Sequence, residues 1–195
     1  MFALNAQNRD MGLKPKQLRR NGIIPGVLYG KNMDESLSIQ FSQAETERFL
    51  KTNSTGSKAE LVLGAKKYPA LLREVEYKPA TSELIHLSFQ MLLAGEIVTS
   101  TARIILVNRD KIAGLVNQPL AEVSYRALPS HLVEKIELNL DNMKIGDEIR
   151  VSDLEFAKNP NIEILSPLDA LVFSISELRK LEVSEPEEAA EPEAE

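Results

Sequence analysis

At 195 residues, with 43% apolar side chains, the chain is long enough for one large or two small domains, and either can bury a core. It has no cysteine, which excludes a disulfide framework and a thiolate nucleophile, and no apolar run approaches the roughly 18 residues of a membrane span. The net charge of −6 is unevenly spread: residues 1–90 hold 13 Lys and Arg against 9 Asp and Glu, and residues 91–195 hold 10 against 20, a split that suggests one end facing nucleic acid and one facing solvent.

The N-terminal "MFALNAQNRD" lacks the charged start and long apolar stretch of a signal peptide, so a soluble, cytoplasmic protein is expected. Within it, "FALNAQNR" reads as an opening strand. "KPKQLRRNG" follows with Pro15 in a first helical turn and Gly22 at a C-terminal stop, which predicts a short helix. "IIPGVLYG" reads as a strand interrupted by Pro25-Gly26, suited to an edge or a bulge rather than a central position. In "SLSIQF", Leu37, Ile39 and Phe41 alternate onto one face. Ser42 with Glu45 three residues on predicts a capping box and a helix ending near Lys51. "AELVLG", "YPALLREVEY" and "LIHLSFQML" complete a set of short strands, as expected for a closed or partly closed barrel.

From "LLAGEIV" the pattern restarts. "EIVTSTARIILVN", "LAEVSYRALP", "HLVEKIELNL", "DEIRV", "NIEIL" and "DALVFSIS" read as strands, with a turn at Gly146-Asp147 and no long helix. The expected organisation is mainly β with short helices. A six- or seven-stranded β-barrel spans residues 1–92, a second β-rich domain spans 93–182, and a disordered acidic tail spans 183–195. The last fifteen residues carry seven Glu and no basic residue, too little apolar surface to offset chain entropy.

No catalytic constellation is present. His86 and His131 fall in different predicted domains, and no zinc-protease, nucleophile-elbow, Walker or dinucleotide pattern occurs. The chain is therefore not read as an enzyme, and neither a cofactor nor a metal is called for. Nucleic acid is the better fit. Lys14, Lys16, Arg19, Arg20 and Lys31 lie within eighteen residues, and on a helix Lys16 shares a face with Arg19 and Arg20. Guanidinium forks match phosphate oxygens. Tyr29, beside Gly30, offers a phenol to a ribose or base. Ile85, Leu87 and Phe89 alternate toward a core, which turns His86 and Ser88 outward, where both can hydrogen-bond RNA. The ordinary alternatives stay open from spacing alone: solvated cations, a tyrosine capping the barrel and a surface histidine.

The run R-x-x-G-x-K-P-x-x-LRR-x-G-x-x-PG-x-x-Y, from Arg9 to Tyr29, resembles the start of the bacterial large-subunit ribosomal proteins that bind 5S rRNA, in their long two-domain form, the general stress protein CTC family. "H-x-x-F" at His86–Phe89 and "LPSHLVEKIELNLDNMKIGDEIRVSDL" extend the resemblance over nearly the whole chain. It implies a structural role in the large subunit, with 5S rRNA and other subunit components as partners, and neither a membrane nor a small-molecule substrate. It implies Arg9, Lys14, Arg19, Arg20, Tyr29 and His86 as RNA contacts. Ser88 stands where the family has aspartate, and "NRDKIAGLVNQPLAEV" lacks the family's adjacent glycines. The competing reading is an RNA-independent stress or scaffold protein acting through the second domain.

Overall fold

The computed structural model describes residues 2–177 apart from Asn32, Asp34, Ala113 and Asn142; the predicted acidic tail lies outside the described residues. The first unit comprises β1 (Phe2–Asn8), α1 (Pro15–Arg20), β2 (Ile23–Tyr29), β3 (Leu37–Ser42), α2 (Gln43–Thr52), β4 (Lys58–Leu63), β5 (Lys66–Tyr77) and β6 (Leu84–Met91). The strands close into a barrel in the order β1-β3-β2-β6-β5-β4, and a parallel β4–β1 pair completes the ring. Closure leaves no free sheet edge. Alternation drives it: Leu4, Ile24, Leu28, Ile39, Leu61 and Phe89 all point into one core, from which water is excluded. The helix α2 buries Phe49 against that core, and the Phe2 ring lies 5.3 Å from it.

Two local expectations are corrected. Ser42 does occupy the N-cap of α2, but its side chain makes no capping bond. Its carbonyl instead accepts from the Thr46 hydroxyl at 2.8 Å, and Glu45 is engaged by the Asn5 amide at 3.2 Å. Ser42 ends a paired strand, which holds its backbone and diverts the cap partners. The second correction concerns β2, which is neither an edge nor bulged. It pairs without a register shift to β3 on one side and to β6 on the other. Gly26 permits this, since a Cβ there would lie 2.7 Å from the Phe41 ring and 2.8 Å from the Leu87 carbonyl oxygen. The proline is accommodated because the β6 ladder begins only at Gly26.

The second unit comprises β7 (Val98–Val107), β8 (Leu115–Asn117), β9 (Glu122–Ala127), β10 (Lys135–Asn139), β11 (Glu148–Arg150), β12 (Ile162–Ile164) and β13 (Leu171–Ser176). They form a four-stranded sheet, β10-β7-β9-β12, and a three-stranded sheet, β11-β13-β8. The described helical segments of this unit are short 3₁₀ turns. A core of Ile104, Val123, Leu140, Val172 and Phe173 lies within it. A further cluster joins the units: Leu71 on β5 and Leu92 just after β6 are buried together with Val98, Tyr125 and Ile162.

Candidate nucleic-acid interface

The site is assembled from the outward face of the barrel and the helix beside it. On β2, Ile24 and Leu28 face the core, so Pro25, Val27 and Tyr29 lie on the outer side, where Pro25 is itself buried. On β6 the inward Leu87 and Phe89 leave His86, Ser88 and Gln90 outward. Register aligns the strands: Val27 stands beside Ser88 and Tyr29 beside Gln90. On the other flank Gln40 pairs with Pro25 and Gln7 with Gln40. The result is a sheet face on which Tyr29, His86, Ser88, Gln90, Gln40 and Gln7 carry hydrogen-bonding side chains, with the Gln40 amide donating to Gln7 Oε1 at 3.4 Å.

Cations rim this face. The helix α1 starts at Pro15, the Lys14 N–H is covered by Gln17 Oε1 at 3.1 Å, and Gly22, at φ +72°, turns the chain into β2. Leu18 is fully buried, which fixes the helix on the barrel and leaves Lys14, Lys16 and Arg20 exposed. Arg19 is half-buried and donates from Nη1 to the Ile85 carbonyl at 3.4 Å. Arg9 sits at the end of β1, its backbone N–H bonded to the Ser38 carbonyl at 3.0 Å; its Nε is buried and has no partner among the described residues.

A cleft of about 490 Å³ separates α1 from the turn between β5 and β6, with Lys16, Arg19 and Arg20 on one wall and Lys78 and Glu83 on the other. Glu83 pairs with Lys78 at 3.4 Å. Hydrogen bonds from Thr81 and Lys78, with the charges of Lys78 and Arg19, hold its carboxyl below the usual carboxylate range.

The predicted residues fall into two groups. Lys14, Lys16, Arg19 and Arg20 gather beside the start of β2, and His86 and Ser88 share the sheet face with Tyr29. Lys31 lies past the far end of β2, about 20 Å along the strand from α1 at ~3.3 Å per residue, and is paired with Glu96 at 2.9 Å. The sequence reading missed Gln7, Ser38, Gln40 and Gln90. The alternation of Leu37, Ile39 and Phe41 was the available signal, because it turns Ser38 and Gln40 outward. It also missed Glu74 and Glu76, which the β5–β6 register sets opposite Ser88 and His86. Glu74 thus places a carboxylate one strand away from Ser88.

Among the described residues no three His, Asp or Glu side chains gather as a metal site requires, and no described helix is long and apolar enough to cross a membrane.

Fold and face together define a two-unit β protein led by a closed six-stranded barrel. Residues 4–89 match the ribosomal L25p family and residues 98–179 match the ribosomal protein TL5 C-terminal domain. The chain is similar to the large ribosomal subunit protein bL25 of Geobacillus thermodenitrificans, 31% identical over 92% of this chain and 87% of the relative. It is 32% identical to that of Gloeothece citriformis, over 80% and 81%, and 28% identical to that of Finegoldia magna, over 94% and 89%. The chain belongs to the bL25 family of ribosomal proteins, which is structural and not enzymatic.

Proposed function

We propose that this chain is a structural component of the large ribosomal subunit that binds 5S rRNA through residues 1–92, with the second unit serving other contacts in the subunit. The observation that carries the reading is the outward face of β2 and β6. It lines up Tyr29, Ser88 and His86, groups able to hydrogen-bond, beside the cations of α1. That division of labour suits a folded RNA: phosphates are held by charge, and ribose hydroxyls and base edges are read by neutral hydrogen bonds. Arg9, Lys14, Lys16, Arg20 and Arg19 rim the face, and Gln7, Gln40 and Gln90 extend it. Lys31 contributes least, because Glu96 holds it and it lies farthest from α1.

A hydroxyl-radical footprint on 5S rRNA tests the proposal. One helical segment should be protected by the full chain, and the protection should weaken in the His86→Ala and Tyr29→Phe variants. An unprotected 5S rRNA at saturating protein overturns it.

A further inference from the structure

We propose that Arg19 is a positioning residue whose guanidinium supplies the hydrogen bond that Pro25 cannot make across the β2–β6 seam, and so fixes α1 against the strand that carries His86 and Ser88. The Gln43 N–H donates to the Gly22 carbonyl at 2.9 Å, so the even-numbered residues of β2 turn their backbone groups toward β3. The odd-numbered ones, Pro25 included, turn theirs toward β6. Gly26 pairs with Leu87 in the parallel ladder, which sets Pro25 beside His86 one step back.

In a parallel pair each N–H donates to the carbonyl one residue before its partner, so position 25 faces the Ile85 carbonyl. Proline has no N–H to give. The group that reaches that oxygen is Arg19 Nη1, at 3.4 Å. The bond is long, but its donor is charged, which strengthens it. Without it the carbonyl at the seam would lose its protein donor.

The consequence reaches α1. Six residues are too few for a helix to hold itself. Leu18 anchors its inner side, and Arg19 adds a second tie, to β6. Together they fix the direction in which Lys16 and Arg20 project. Arg19 thereby differs from its neighbour Arg20, which is exposed.

The test is a double-mutant cycle on the full chain, read by thermal unfolding. Arg19→Ala should lower Tm by several degrees, and Arg20→Ala should barely move it. Pro25→Ala restores an N–H facing Ile85, so in that background Arg19→Ala should cost less than half as many degrees. The ¹³C shift of the Ile85 carbonyl gives a second readout that needs no change at Pro25: it should move in Arg19→Ala and hold in Arg20→Ala. Neither readout involves RNA, so a failure to bind 5S rRNA would fall on the proposed function alone. Equal costs of Arg19→Ala in both backgrounds, or an unmoved Ile85 carbonyl shift, overturn the positioning role.

Discussion

Glu134 of the second unit accepts a hydrogen bond from the backbone N–H of Lys58, at the start of β4, at 3.0 Å. It is one of several ties across a closely packed seam. Arg73 on β5 donates to the Thr99 carbonyl at 2.7 Å, and the Ser100 hydroxyl reaches the Gly56 carbonyl at 3.5 Å. Gly56 marks the closest approach: a Cβ there would lie 2.0 Å from the Thr101 carbonyl oxygen, and its φ of +85° suits only glycine comfortably. Gly56→Ala should therefore destabilise the full chain by more than about 1 kcal/mol. Urea unfolding measures this, and an unchanged midpoint would show that the two units can part without cost.

Leu71 gives the seam an apolar anchor. Its neighbours Ala70 and Leu72 enter the barrel core, whereas Leu71 is buried with Tyr125 and Val98 of the second unit. In the full chain Leu71→Ala should cost about 2–5 kcal/mol, the range for a buried leucine. In a fragment of residues 1–92 the same change should cost little, because the side chain has lost its cover. That fragment should keep most of the affinity for 5S rRNA. A similar cost in both contexts would mean that Leu71 belongs to the barrel.

The fold was legible wherever periodicity ran long. Leu37, Ile39 and Phe41 announced β3, and Pro15 and Gly22 bracketed α1 within a residue or two of its observed ends. Pro25 misled because a proline in a strand reads as local damage. What accommodates it is where the ladder to β6 begins, with Gly26 beside Leu87, a pairing that no short window contains. The strand β8 is only Leu115–Asn117, too short to alternate visibly. For the site, the cations and Tyr29 stood out by type. Gln7, Gln40 and Glu74 did not, because an outward glutamine or glutamate acquires meaning only when register places it on the shared face, Glu74 opposite Ser88 and Gln40 between Pro25 and Gln7.

The exposed cations should act through phosphates. Lys14→Ala and Arg20→Ala should each weaken binding and flatten its logarithmic salt dependence by roughly 0.7–0.9 for every phosphate left without its cation. Glu83 lies in the same cleft as a carboxylate, so it opposes a phosphate there. Glu83→Gln should tighten 5S rRNA binding a few-fold at low salt, an advantage that fades as salt rises. Filter binding across a salt series checks both, and weaker binding by Glu83→Gln would place RNA elsewhere.

Tyr125 makes a prediction for the second unit. Its fully buried phenol donates to the Val133 carbonyl and accepts from the Val133 N–H, each at 2.8 Å, and burial raises its pKa above the ordinary tyrosine value. Tyr125→Phe keeps the ring but strips both backbone groups of their partner. A loss of about 1–3 kcal/mol is expected, measured by chemical unfolding. An unaffected stability would show that water replaces the hydroxyl.

Titration of 5S rRNA with the full chain at several salt concentrations, beside an unrelated duplex RNA of equal length, bears most directly on the barrel face as a 5S rRNA reader. The 5S rRNA should bind more tightly, with an affinity that falls steeply as salt rises. Tyr29→Phe and His86→Ala should each cost about 1 kcal/mol or more on 5S rRNA and leave the duplex unaffected. Equal binding of both RNAs, or none of either by a folded protein, would contradict this and favour an RNA-independent scaffold.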